Sequence, residues 1–203
     1  MAVIRNDGMK STKAQKHKLK HLDRHVGVIS NISDVYETDG FNEDEKKEQI
    51  RLQFRSKIEE LRVSDDKKEE LKKERKEFAE ENPDLDVNTD IIELPFFVTA
   101  NLTRGSTAQT SSKLYKTLKT LGLAEPYDED KFKFCNRDGA VVKPFSDVDM
   151  NDNEAVNAKL AEYLRNNMIG MKVEYEIKNS NQGTDDEYST VAKVIDKIED
   201  LEG

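Results

Sequence analysis

The chain contains no tryptophan, a single cysteine, only four prolines and no long apolar run. The lone cysteine, Cys135, excludes an internal disulfide and a zinc site built from several cysteines. No apolar stretch approaches the ~20 residues that cross a bilayer, and the first residues lack the apolar segment of a signal peptide. We therefore expect a cytoplasmic protein with no membrane partner.

Apolar residues are scarce and charged residues abundant, at 35% and 37% of the 203 residues. A chain of this length and composition is expected to form one domain with an insertion, or at most two small domains, around a modest core. The formal net charge of −9 argues against indiscriminate binding of polyanions, because phosphate contacts supply most of the non-specific affinity for nucleic acid. It leaves room for a local basic groove.

Positive charge is concentrated near the start of the chain. Residues 1–25 hold seven lysines and arginines against two aspartates, which gives them a net charge of +5. The remaining residues therefore carry −14, and the two parts sum to the formal net charge of −9. This asymmetry predicts a basic N-terminal arm over residues 1–25, followed by the main domain over 26–203. The alternative interpretation of the arm is a disordered, solubilising tail.

Two segments alternate between apolar and polar residues with the period of a β-strand. Residues 49–58 put Ile50, Leu52 and Phe54 on one face and basic or amide side chains on the other. A second apolar series, from Leu94 to Leu102, has Phe97, Thr99 and Asn101 on its opposite face. Each segment is predicted to be a strand with one buried face.

The remaining elements complete a recognisable order. A polar loop after Leu102 leads into a short amphipathic helix closed by Gly122, and two further strands follow at about 171–178 and 188–198. Strands, one helix and then more strands is the order of a small Greek-key barrel of the oligonucleotide-binding (OB) type. The predicted fold class is therefore mostly β with helices, α+β, as an OB-like barrel.

A charged segment at about 64–82 is predicted to be a helix inserted between two barrel strands. Ser64 is a suitable cap, acidic residues follow it, and Pro83 lies just past the end. Its large apolar residues are Leu71 and Phe78, a stripe too narrow for a core helix. We expect a surface helix, and an alternative function follows from it: a protein–protein interaction or scaffold module that docks a partner there.

Sites for catalysis or metal binding are poorly supported. His17, His21 and His25 are spaced by four, which we interpret as coincidence in a polar arm, with their role left open. The stretch DVDMNDNE resembles a calcium loop but has Asp152 where glycine is required and Ala158 where glutamate is required. With no nucleotide-binding loop or nucleophilic triad visible, we predict no enzyme, no cofactor and no metal. A metal-dependent nuclease is the least favoured alternative.

A nucleic-acid interface is supported by the polar faces of the two strands. Binding a single strand requires cations that follow the phosphates and flat side chains on which bases stack. If the two strands pair, an exposed Phe97 lies near two arginines; the alternative is that other parts of the chain cover Phe97. The predicted interface residues are Arg51, Gln53, Arg55, Phe97, Thr99, Asn101, Arg104, Lys113, Tyr36 and Tyr188.

The succession of motifs is similar to a known family. GVISNISDVYE, EQIRLQFRS, FFVTANLT…SSKLYKTLKTLG and IGMKVEYEIKN…EYSTVAKV follow one another as in phage- and virus-encoded OB-fold proteins of the single-stranded-DNA-binding type. The resemblance covers about residues 26–198, without 64–82 and much of 125–150. It implies non-catalytic binding of single-stranded DNA during viral replication or recombination in the host cytoplasm, with replication or recombination proteins as further partners. The chain ends DKIEDLEG and lacks the terminal aromatic residue through which related proteins recruit such enzymes.

Overall fold

A computed structural model describes residues 15–39, 46–103, 105, 109–128 and 131–198, which form a mixed α+β fold, as predicted. The helices are α1 (Asp65–Glu81), α2 (Lys113–Thr120) and α3 (Asn153–Met168). The strands are β1 (Arg24–Ile32), β2 (Tyr36–Asp39), β3 (Lys46–Lys57), β4 (Ile91–Thr99), β5 (Ala124–Pro126), β6 (Phe132–Cys135), β7 (Val141–Val142), β8 (Lys172–Ser180) and β9 (Tyr188–Lys197). None of the described helices is both long and apolar enough to cross a membrane.

Six antiparallel strands form the main sheet. Strand β3 pairs with β4 along one edge and with β1 and β2 along the other, and the sheet continues from β1 through β8 to β9. Strand β9 lies alongside β4, but no ladder joins these two within the described strands. A second sheet, β5-β6-β7, stands apart. The structure thus shows mostly antiparallel sheets with helices, and the described strands do not form a closed, hydrogen-bonded barrel.

The core lies beneath β3 and β4, as the alternation predicted. Ile50, Leu52 and Phe54 of β3 are fully buried, and so are the apolar residues of β4 at every second position. The Phe54 ring packs edge-on against Phe96 at 5.8 Å and against Tyr175 of β8 at 5.4 Å between ring centroids. Edge-to-face pairs of this kind add about 0.5–1.5 kcal/mol to the burial of the rings.

A close approach between β1, β3 and β8 requires glycine at position 27. A Cβ atom there would lie 2.4 Å from Ser56 Oγ, 2.7 Å from Arg55 O and 3.0 Å from Tyr175 Cε1. Ser56 Oγ donates to Val26 O at 2.8 Å and lies 2.6 Å from the Tyr175 hydroxyl. Because this network fills the space, Gly27 is required for packing and not for a turn.

Helix α1 is confirmed as a surface helix in which only Leu71 and Arg75 are buried, but Leu71 does not have the exposure that was expected. Ser64 caps it by accepting a hydrogen bond from Lys67 N at 3.3 Å. Leu71 is fully buried against the core, and the Arg75 guanidinium is almost buried, where it donates to Asn88 O. The expectation that Leu71 would be free to dock a partner is wrong. The helix packs on the short 3-10 turn Ile58–Glu60, so one apolar side chain and one arginine anchor it.

Residues 15–23, which we call the strap, are fixed against the sheet. Ser189 N donates to His17 O at 2.7 Å, and Leu19 N donates to Ser189 Oγ at 2.8 Å. The Leu19 side chain is 3% exposed and joins the core. His17 and His25 are also buried, so the interpretation of His17 as part of a polar arm is wrong, and His25 belongs to strand β1.

Candidate nucleic-acid interface

The register of β3 and β4 brings the predicted side chains together on one surface. Arg51 lies directly opposite Phe97. Their neighbours in sequence point into the core, so both side chains point outward. We call this surface the β3–β4 face; its other cross-strand pairs are Gln49 with Thr99, Gln53 with Pro95 and Arg55 with Glu93.

The phase of the ladder places Arg51 especially close to Phe97. Ala100 N donates to Glu48 O at 2.9 Å, so the hydrogen-bonded pairs fall on the inward-pointing residues. Arg51 and Phe97 consequently form a non-hydrogen-bonded pair, in which side chains stand closer together. Pro95 is tolerated in the same strand because it too belongs to a non-hydrogen-bonded pair. No hydrogen bond to β3 therefore requires the N–H that proline lacks.

Phe97 is partly exposed, between Phe96 and Val98, which are both buried. Phe97 is therefore neither fully buried nor one of the exposed large apolar residues of the described chain, so it is partly covered. Its backbone carbonyl faces away from β3, toward β9. The side chain remains on the outward surface, where a ring can meet a base.

Tyr36 of β2 extends the face on the far side of β3. It pairs with Gln49, and its hydroxyl donates to Gln49 Oε1 at 2.9 Å. Partial burial raises the pKa of this hydroxyl above its ordinary value, while the nearby Arg51 charge acts to lower it. The tyrosine ring is 38% exposed. Tyr36, Gln49 and Arg51 are thus neighbours, as the prediction requires, although Gln49 was not among the predicted site residues despite sharing their alternation.

Arg55 is also on this face but has a partner. Its Nε donates to Glu93 Oε1 at 2.6 Å, directly across the ladder. Both side chains are substantially exposed, so the pair contributes at most about 1 kcal/mol. A phosphate could replace the carboxylate at small cost, but Arg55 offers less uncompensated charge than the sequence suggested.

Lys113 lies at the edge of the sheet and not on a solvated loop. It is the first residue of α2, and its ammonium donates to Phe97 O at 3.2 Å and lies 4.2 Å from the centroid of the Phe96 ring. Burial, with a smaller contribution from the Lys178 charge, lowers the pKa of Lys113 to about 8. The helical periodicity of α2 does not predict that Lys113 contacts β4, because this contact depends on where β4 ends in space.

The other predicted residues are distributed around the face. Thr99 is exposed at the end of β4, and Asn101 is exposed beyond it, where its Oδ1 accepts from Thr103 N at 2.8 Å. Arg104 lies outside the described residues. Tyr188 begins β9, where it pairs with Ser180, so it is not part of the β3–β4 ladder.

The side chains of the β3–β4 face are of kinds that can stack and form hydrogen bonds. It combines a guanidinium, two partly exposed rings and amide side chains. In the part of the chain that the structure describes, no three His, Cys, Asp or Glu side chains are grouped so as to hold a metal ion. The calcium-like stretch serves to cap α3, because Asp152 Oδ1 accepts from Ala155 N at 3.1 Å.

Comparisons with protein-family models, with curated proteins and with solved structures find no match to this chain.

Proposed function

We propose that the protein binds single-stranded DNA, without catalysis, on the β3–β4 face. The observation that carries the proposal is the pairing of Arg51 with the partly exposed Phe97 at a close cross-strand position. A base stacked on such a ring gains roughly 1–3 kcal/mol, and a guanidinium beside it can contact the adjoining phosphate. Tyr36 supplies a second ring on the same surface.

The proposal includes an OB-like barrel. The five long strands β1, β3, β4, β8 and β9 are ordered β4-β3-β1-β8-β9 in the sheet, with β9 beside β4 and α2 between β4 and β8 in the chain. This is the strand order of an OB fold whose seam between β4 and β9 lacks a ladder. OB folds bind oligonucleotides on the surface of their second and third strands, which here are β3 and β4.

The acidic body limits the strength of the phosphate contacts. Arg51 and Arg55 are the cations of the face, each with an interaction partner within the protein, and Lys113 lies at the edge of the sheet beside the Phe96 ring. For single strands, each phosphate contact contributes about −0.7 to the slope of log affinity against log salt. Two to three such contacts give a slope of about −1.4 to −2.1, so stacking supplies much of the affinity.

We assign this binding to viral DNA replication or recombination in the host cytoplasm, with replication or recombination proteins as further partners. The support for this role is the resemblance of the motif order to phage- and virus-encoded single-strand binders. The face itself supports the ligand class and not the biological setting.

A salt-series titration tests the proposal. Fluorescence anisotropy with a labelled oligo-dT should give micromolar or tighter binding at low salt and a slope of about −1.4 to −2.1. A duplex of equal length should bind more weakly, since its bases cannot stack on Phe97. An oligo-rU arm measures the preference for DNA over RNA. A flat titration with oligo-dT at low salt would rule the proposal out.

A further inference from the structure

The strap, residues 15–23, carries a second group of cations beside an aromatic ring. Lys16 Nζ lies 3.1 Å from Asp186 Oδ1, and Lys18 Nζ lies 2.7 Å from Glu187 Oε2. Lys16 is also 5.3 Å from the centroid of the Tyr188 ring. The loop between β8 and β9 thus holds both lysines with carboxylates at the start of β9.

The backbone of the strap is held by hydrogen bonds, whereas its lysine side chains extend into solvent. Hydrogen bonds to Ser189 and Ile177 hold the main chain, and the Leu19 side chain is buried. The side chains of Lys16 and Lys18 are 55% and 62% exposed. The Lys16–Asp186 pair is exposed on both sides and therefore weak, and the Lys18 ammonium can leave Glu187 without movement of the strap because the lysine side chain is itself exposed.

The two carboxylates differ in how firmly they are placed. The Glu187 side chain is only 14% exposed and also accepts a hydrogen bond from Asn179 Nδ2 at 2.9 Å. Its hydrogen bond from Lys18 lowers the pKa of Glu187, which keeps it ionised. Asp186 is 80% exposed. Glu187 therefore remains in place when Lys18 turns away.

We propose that Lys16 and Lys18 are phosphate-binding residues whose ammonium groups are paired with Asp186 and Glu187 in the free protein. A nucleic-acid strand that continues from the β3–β4 face replaces these carboxylates with its phosphates. The inference rests on the proposed function. It is supported by the adjacency of β9 to β4 and by Tyr188, which repeats the combination of cation and ring that Arg51 and Phe97 form. The β8–β9 loop corresponds to the loop between the last two strands of an OB fold, which borders its ligand site.

The arrangement makes the protein a self-limited binder. Phosphates must compete with carboxylates that are always present at high local concentration, so the second group of cations contributes only part of its attraction. Neutralising the loop should release that attraction and increase the number of phosphate contacts.

The first test neutralises the loop. The variant Asp186→Asn/Glu187→Gln should bind oligo-dT about fivefold more tightly at low salt, with a slope steeper by about 1.4, the contribution of two further phosphate contacts. The control variant Asp65→Asn/Glu69→Gln makes the same change in charge on α1, where the two acids pair with Lys68 and Lys72. An equal gain in the control would mean a general effect of net charge and would overturn the inference.

The second test is a double-mutant cycle. Lys16→Ala/Lys18→Ala should weaken binding less than twofold in the natural background and about fivefold or more in the neutralised loop. Independent effects would be additive, whereas carboxylates that occupy the lysines make them non-additive. Equal losses in both backgrounds sink the proposal.

Separate controls distinguish loss of folding, failure of the proposed function and failure of this inference. Thermal melts establish that each variant folds, and Asp186→Asn alone, at a largely exposed position, replaces the double change if Glu187→Gln unfolds. If the natural protein does not bind oligo-dT at all, the proposed function fails and this inference fails with it. If the natural protein binds and the cycle is additive, only the inference is lost.

Discussion

The outward surfaces of β1–β8 and of β3–β4 belong to one sheet but use their cations differently. On the β1–β8 surface, Glu176 pairs with Arg24 at 3.8 Å and with Lys193 at 3.1 Å, and Glu174 pairs with Arg62. On the β3–β4 face, a carboxylate lies across from Arg55, but a partly exposed phenylalanine lies across from Arg51.

Basic residues on a strand do not by themselves make an anion site. The residue across the ladder also matters, because it is a carboxylate for Arg55 and a ring for Arg51.

The largest effect on binding is expected from Phe97. Phe97→Ala should weaken oligo-dT binding about tenfold to a hundredfold, since a stacked base is worth roughly 1–3 kcal/mol. Its effect on the urea midpoint should be much smaller than that of Phe96→Ala, which removes a fully buried ring at a cost of about 3–5 kcal/mol. If both variants lose similar stability, Phe97 is a packing residue, and its proposed role in binding on the β3–β4 face is contradicted.

A smaller effect is expected from the two arginines. Arg51→Ala should reduce affinity about fivefold and make the salt slope shallower by about 0.7, the share of one phosphate contact. Arg24→Ala, the same change on the β1–β8 surface, should leave anisotropy titrations within about twofold of the natural protein. Equal losses would show that the protein responds to total charge and not to position.

Removing a carboxylate should act in opposite ways on the two surfaces. Glu93→Gln leaves Arg55 without its partner across the ladder, so we expect oligo-dT binding about threefold tighter. Glu176→Gln should not improve binding and should lower the free energy of unfolding by about 1–2 kcal/mol, since this nearly buried carboxylate serves two cations. Titrations paired with urea melts distinguish these outcomes.

The smallest effect is a pH dependence at Lys113. Its pKa of about 8 means that its charge is lost as the pH rises from 7 to 9, so binding should weaken about twofold to threefold. Lys113→Arg, which keeps its charge, should show no such loss. Stability should change in the other direction. The unfolded lysine holds its proton up to about pH 10.4, so between pH 8 and 10 unfolding takes up a proton and the folded state gains stability. If binding of both proteins responds equally to pH, Lys113 is not the titrating contact.

The faces of the strands were predictable from the sequence, but their pairing was not. Period-two alternation alone separates Ile50 and Leu52 from Arg51 and Gln53. That Arg51 stands opposite Phe97 depends on a register set across the long α1 insertion, which no local pattern encodes.

Burial in single segments was harder still. Leu71 has too few apolar neighbours on its helix to predict a core position, and its burial depends on the turn beneath α1. His17 belongs to a segment without periodicity whose partner, Ser189, lies in the last strand. Contacts between residues so distant in the chain leave no spacing signal for sequence analysis to detect.

The junction between β4 and β9 has a mechanical consequence. Among the described strands, the other neighbours in the large sheet are joined by main-chain hydrogen bonds, whereas no ladder joins β4 and β9, and the Phe97 carbonyl accepts instead from Lys113 of α2. Amides bordering that junction should therefore exchange with deuterium through brief partings that leave the rest of the sheet intact. Such local opening would let the spacing of β4 and β9 change when the β3–β4 face meets ligands of different sequence, without global unfolding.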